Sequence, residues 1–167
     1  MLIKISKKWL NHKFMCSEDY ILNICEGTNK IIVSLLKEEE ENIKSIGGHI
    51  EKGKLKPNIT SGKCPYKKDN GLCELHYTNL KPLGCIISPF TINKNKTLII
   101  RHRYSKMKCH GSGEPAYIVF KISLIKLFGE KQYNKLVKEI NSEVDLYLEI
   151  EDDLYENLLY LDNLKKE

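Results

Sequence analysis

The stretch "CPYKKDNGLCELHYTNLKPLGC", Cys64 to Cys85, decides how this chain is read. It holds three of the six cysteines in 22 residues, yet it contains no C-x-x-C pair. "KDNG" at Lys68–Gly71 is a turn signal, and "NLKPLG" at Asn79–Gly84 is a second bend. Cys64 precedes Pro65, Cys85 follows Gly84, and further on Cys109 precedes His110-Gly111. A cysteine that serves only packing usually sits inside an apolar strand or helix. Thiols on turns instead read as ligands aimed inward from separate loops.

The spacings are long. Eight residues separate Cys64 from Cys73, eleven separate Cys73 from Cys85, and 23 separate Cys85 from Cys109. Most structural zinc sites take two thiolates from one turn, which needs close spacing. Single thiolates from separate loops suit zinc or a four-thiolate iron–sulfur cluster. Six cysteines fit one such site with two to spare, or two mixed sites completed by histidine or carboxylate. Unpaired structural thiols are the competing reading for each cysteine taken alone.

Outward from this segment, the chain is α+β. An irregular cysteine-rich half with a small antiparallel sheet is followed by a C-terminal helical half. At 167 residues and 41% hydrophobic content the chain is long enough for one domain with its own core. The organisation expected is a cysteine-cluster region over 1–113 and a helical region over 114–167. Met1 to Cys25 carries no clear pattern. Ile31–Val33 reads as a short strand, with Ser34 as the N-cap of a helix. Leu35, Leu36, Ile43 and Ile46 fit one face of that helix, which has Glu38 to Glu41 near its positive end and stops at Gly47-Gly48. His49 to Gly62 reads as polar loop. Ile86 to Arg103 reads as two strands around the polar turn "NKNK". Ala116 to Phe128 is apolar nearly all round and should be a deeply buried helix ended by Gly129. A second helix should carry Tyr133, Leu136, Val137, Ile140, Val144, Tyr147 and Leu148. A third should carry Leu154, Leu158, Leu161 and Leu164.

No apolar run approaches membrane-span length, and the first residues lack the apolar core of a signal peptide. The chain therefore reads as cytosolic, without a membrane partner, with its thiols reduced. Net charge is +5, but residues 141–167 hold nine acidic and two basic side chains, leaving +12 on the first 140. Much of that lysine excess goes with the Ile- and Asn-rich composition. The rest admits an anionic partner.

The residues around the cysteines resemble the YkgJ-type cysteine-cluster family, the zinc- or iron-chelating domain family. Cys64-Pro65-Tyr66, Asn70-Gly71, Cys73-Glu74-Leu75-His76, Lys81-Pro82, Cys85 and Pro89-Phe90 stand where that family has its motif. Cys109-His110-Gly111-Ser112-Gly113 resembles its Cys-x-Gly-x-Gly. The likeness spans roughly Cys16 to Gly113. Two features depart: the family's N-terminal cysteine run is reduced to Cys16 and Cys25, and Lys81 replaces an arginine. The resemblance implies metal chelation by Cys64, Cys73, Cys85 and Cys109, with Cys25 and Cys16 next. Iron–sulfur stands ahead of zinc. Gly111 and Gly113 are expected to offer backbone N–H groups to a cluster or anion. Flagellin lysine-N-methylases look related, but methyl transfer is not carried over, because fold kinship does not fix function.

Three functions follow as expectations. The first is a metal-binding cysteine-cluster protein, an accessory or partner in a modification system. The second is a zinc-stabilised nucleic-acid module using a basic strand, Arg101 to Lys108, with Tyr104 stacking on bases. The third is catalysis by His49, His76, His102 or His110, or by Cys109 as nucleophile, although none lies in a recognised catalytic motif.

Overall fold

Period-2 burial organises the first part of the chain. In the computed structural model, which describes residues 1–23 and 33–164, strand β1 (Leu2–Ile5) buries Ile3 and Ile5 on one face. A 3-10 turn over Lys7–Asn11 follows, then β2 (Lys13–Phe14) and helix α1 (Glu18–Asn23). Next come β3 (Val33–Ser34), α2 (Lys37–Ser45), β4 (Ile50–Glu51), β5 (Lys54–Leu55) and α3 (Leu83–Ile86). The remainder is β6 (Phe90–Ile92), β7 (Thr97–Ile100), a 3-10 turn over His102–Lys106, β8 (Glu114–Pro115), α4 (Ala116–Val119), α5 (Lys121–Glu139), β9 (Leu146–Glu149) and α6 (Asp152–Leu164). The mixed α+β class is as expected. No helix among the described residues is long and apolar enough to cross a membrane.

The chain divides into two compact units, and neither is continuous in sequence. One joins Met1–Ile21 to Ile87–Glu156, the other joins Leu22–Ile86 to Asn157–Glu167. The boundary read near Gly113 is not where the chain divides, because β1 and β2 take their strand partners from the second half.

In the first unit, a four-stranded sheet has the order β6-β7-β1-β9, with β1 parallel to β7 and antiparallel to β9. The expected hairpin on "NKNK" forms as β6–β7. Asn93 Oδ1 accepts the N–H groups of Asn95 and Thr97 and so closes the turn. The helix expected across Val144, Tyr147 and Leu148 is corrected: helix α5 ends at Glu139 and Leu146–Glu149 is strand β9. Leu146 and Leu148 are buried while Tyr147 and Glu149 face out, the alternation of a half-buried strand. Pairing with β1 overrides a spacing that also fitted a helix.

Aromatic packing fills this unit's core. Trp9 stacks on Phe90 at 4.7 Å, and Phe120 meets Phe14 and Phe90 edge-on at 5.0 and 5.6 Å. Each such pair adds about 0.5–1.5 kcal/mol beyond area burial. The helix expected over Ala116–Phe128 instead bends at Phe120, and it is not buried all round: Ile118 and Ile122 are exposed. Buried Glu18 anchors the start of α5. Its carboxylate accepts the N–H groups of Ile122 and Ser123 and the Ser123 hydroxyl. Burial pushes the Glu18 carboxyl up, and these three bonds oppose the shift. The expected stop at Gly129 is present as a break, with φ +75° inside α5.

In the second unit, three two-residue strands form the sheet β3-β5-β4. The loop expected over His49–Gly62 contains the hairpin β4–β5. Lys52 and Gly53 take φ +49° and +70°, the double positive φ of a two-residue hairpin turn. Helix α2 begins at Lys37 on Leu36, not on Ser34. Ser34 is paired into β3 instead, and Glu39 turns back to accept the Leu36 N–H at 2.9 Å. Gly47, at φ +83°, ends the helix as expected. The core is small: Val33, Leu35, Ile43, Leu55, Cys64, Tyr66 and Leu75. Ile31 and Cys25 lie outside the described residues.

Candidate thiolate site

Backbone hydrogen bonds fold the Cys64–Cys85 segment around that small core. Lys67 donates to the Cys64 carbonyl at 3.1 Å, which makes a tight bend at Pro65-Tyr66. The Asn70-Gly71 turn then reverses the chain: Gly71 sits at φ +84°, Asn70 Oδ1 accepts the Leu72 N–H, and Lys68 donates to the Leu72 carbonyl. Lys67 and Cys73 consequently face each other across an antiparallel bridge, and Glu74 donates to the Tyr66 carbonyl. Cys64 is 7% exposed inside the core, and Cys73 and Cys85 pack against the same cluster.

Two buried polar groups tie the cysteine-bearing segments together. Asn23 accepts the Cys73 N–H through its carbonyl at 2.7 Å and its side-chain Oδ1 at 3.0 Å. Lys81, only 8% exposed, places Nζ 2.7 Å from the Leu22 carbonyl and 2.6 Å from His76 Nδ1. An ammonium only donates, so His76 Nδ1 accepts and the ring carries its proton on Nε2. Lys81 thus links Leu22, the turn after Cys73 and the segment leading to Cys85. Glu39 adds a further tie by accepting the Leu83 N–H at 2.6 Å, at the first turn of α3. The next residue is Gly84, where a Cβ would stand 2.8 Å from Val33 Cγ2 and 3.2 Å from the Ser34 carbonyl. Only glycine lets the Cys85 helix approach β3 this closely. Ser34 Oγ is buried there with no hydrogen-bond partner among the described residues.

The other described cysteines belong to the first unit. Met15 donates to the Cys109 carbonyl at 2.9 Å, which lays the Cys16 segment alongside Cys109. Burial, and after it the neighbouring Cys109, push Cys16 up to about 11. Beside them His12 Nδ1 lies 3.1 Å from His110 Nε2, and burial followed by the charge of His110 lowers His12. The expected set of four is therefore divided, with Cys64, Cys73 and Cys85 in one unit and Cys109 with Cys16 in the other. All five described cysteines carry thiols. Among the described residues, no three His, Cys, Asp or Glu side chains form a group able to hold a metal ion. What Cys64, Cys73 and Cys85 share is one apolar cluster, which Cys64 belongs to and Cys73 and Cys85 pack against.

The glycine-rich segment serves chain packing. The Gly111 N–H is committed to the Lys13 carbonyl at 2.9 Å, and a Cβ on Gly113 would stand 2.4 Å from the Phe14 carbonyl oxygen. The segment is the partner of β2 and does not form the open cradle expected of Gly111 and Gly113. The basic strand expected at Arg101–Lys108 is corrected as well. His102–Lys106 is a 3-10 turn, Arg101 Nε donates to the Phe90 carbonyl, and Tyr104 is buried with its hydroxyl on Ser88. Tyr104 packs on Phe120 at 5.9 Å and is not available to stack on a base.

Asn23, Glu39 and Lys81 carry the site's second layer and were not legible as such in the sequence. Each acts through a partner 44 to 59 residues away. No family model, no curated protein and no solved structure matches the chain.

Proposed function

We propose that the Leu22–Ile86 unit holds a thiolate-ligated metal centre, an iron–sulfur cluster ahead of zinc, and that the protein is an accessory component of a modification or redox system. Cys64, Cys73 and Cys85 supply three thiolates, and the candidate for the fourth is Cys25, which the resemblance ranks next and which lies outside the described residues. The observation that carries this reading is the convergence of the segments bearing Cys64, Cys73 and Cys85 on one small apolar cluster, with buried Lys81 bonded to the Leu22 carbonyl and His76. The resemblance of these same residues to the YkgJ-type family points the same way. A buried cation suits the net negative charge of a four-thiolate centre, because an uncompensated buried charge is costly. A small apolar core built on two-residue strands gains its missing stability from metal ligation. An iron–sulfur cluster would supply one-electron chemistry here, and zinc would supply rigidity alone.

Elemental analysis and the absorption spectrum of anaerobically purified protein test this. Iron with acid-labile sulfide supports the cluster. Stoichiometric zinc without colour assigns a structural site. Protein free of both metals overturns the proposal.

A second reading rests on exposed His102, Arg103, Lys106 and Lys108 in one 3-10 turn region. Such a patch contacts phosphates without reading bases. Binding to single-stranded oligonucleotides that weakens steeply with salt supports it, and no binding at low salt removes it.

A further inference from the structure

In the first unit, away from the proposed thiolate centre, two histidines are brought ring to ring. His12 stands in extended backbone directly before β2, two residues ahead of Phe14, so strand alternation puts His12 and Phe14 on one face. Phe14 faces His110 across an antiparallel bridge, which puts His110 on that same face. The result is a separation of 3.1 Å between His12 Nδ1 and His110 Nε2. The chain holds both residues in place. His12 donates to the Trp9 carbonyl at 3.0 Å and its own carbonyl accepts from Ala116 at 2.9 Å, while His110 donates to the Met107 carbonyl at 3.0 Å. The buried Phe14 ring packs edge-on against the His110 ring at 5.2 Å. Both histidines are half-buried, so the pair reaches solvent. Among the described residues, the only polar partner of each ring is the other ring, and no carboxylate pairs with either.

We propose that His12 Nδ1 and His110 Nε2 form a chelating pair for a divalent transition-metal ion of the zinc class, independent of the thiolate centre. Two nitrogens bound to one tetrahedral zinc at about 2.0–2.1 Å each stand about 3.3 Å apart, so the 3.1 Å separation is close to that of a chelate. Imidazole nitrogen suits zinc, copper and nickel, whereas calcium and magnesium take oxygen ligands. In the free pair one ring donates and the other accepts. On binding, the shared proton passes through solvent to the far nitrogen of its own ring, and both facing nitrogens then present lone pairs. Neither far nitrogen has a partner among the described residues that this change would displace. Burial, and after it His110, lower His12, which favours the neutral ring that a metal needs. No third His, Cys, Asp or Glu completes a ligand group among the described residues, so water fills the remaining positions and the ion stays exchangeable.

The test adds zinc chloride to the whole chain, in excess over its metal content as purified, and follows the imidazole nitrogens by NMR of nitrogen-labelled protein. His12 Nδ1 and His110 Nε2 are expected to move together to metal-bound positions, and a chelator should return both. Both rings unchanged while thiols take up the zinc, ligation of one ring alone, or ligation through the far nitrogens overturns the proposal. The wild-type spectrum decides this without any variant. His12→Ala then tests the chelate itself: at the same zinc concentration the His110 resonances should no longer respond, with circular dichroism as in the wild type. Continued ligation of His110 in that variant overturns the pairing. Metal found in the protein as purified is the readout for the thiolate centre of Proposed function, and its absence there leaves the histidine result to stand or fall by itself.

Discussion

The two units use different means to stay ordered. The first has a four-stranded sheet and an aromatic core on Trp9, Phe14, Phe90 and Phe120, all at most 1% exposed. The second has strands of two residues and a seven-residue cluster that includes a cysteine. Its order comes from turns, from buried polar ties at Asn23 and Lys81, and from a half-buried one at Glu39. An aromatic core is stable without a ligand. On the function proposed above, the loops around the thiols of the second unit gain their stability from a bound metal. The contrast can be broken by experiment.

The largest effect is expected from ligand removal. Cys73→Ala or Cys85→Ala should abolish metal binding and expose 33–86 to proteolysis, since structural thiolate sites contribute about 10 kcal/mol or more in small metal domains. Trp9, the only tryptophan, reports on the aromatic core through its fluorescence. A metal-free Cys85→Ala variant with unchanged melting and protease resistance would remove the distinction between the units. Phe120→Ala should act the other way. It should cost about 3–5 kcal/mol in denaturant unfolding, as for large core truncations, and leave metal stoichiometry intact.

Lys81→Met tests the polar ties. It leaves the Leu22 carbonyl and His76 Nδ1 without their buried donor, and a loss of about 1.5–3 kcal/mol is expected from charged hydrogen bonds of this kind. Stability equal to wild type would show that the tie is incidental. Between the glycines, Gly113→Ala should cost more than Gly71→Ala. Both hold positive φ, but only Gly113 has backbone within 2.4 Å of a Cβ, while Gly71 faces open space. A strained backbone costs about 1–3 kcal/mol, and equal losses in thermal unfolding would contradict the close approach.

The smallest effect concerns Glu18. Burial raises its carboxyl in the folded state above its unfolded value, so the folded protein binds the extra proton between those two values. Glu18 therefore contributes a stability that is greatest at low pH and declines as pH rises through that window. Glu18→Gln should flatten this part of the stability profile, and an unchanged slope would show that the carboxylate titrates normally.

Some of this was legible in the sequence because local chemistry sufficed. Asn70-Gly71 specifies a turn wherever it lies, "NKNK" between apolar runs specifies a hairpin, and Gly129 breaks a helix through its own φ. The cysteines could be picked out by their turn-rich surroundings. Their grouping could not, because the segment alongside Cys109 is that of Cys16, 93 positions earlier, and no spacing rule reaches that far. Tyr147 and Leu148 fitted a helical spacing and an alternating one equally well, and pairing with β1 decided between them. Tyr104 illustrates the same limit. It read as a base-stacking surface residue, and it is buried with its hydroxyl on Ser88.

Sequence alone thus determined where several of this chain's turns lie and that its six thiols stand mostly beside turn-forming sequence. Those properties depend on φ preferences and on neighbours a few residues away. Tertiary structure alone decided which thiols share a unit, which strands pair across the two halves of the chain, and which charged groups are buried. Such contacts join residues tens of positions apart, and they form only when burial of a common core offsets the entropy of closing the loops between them.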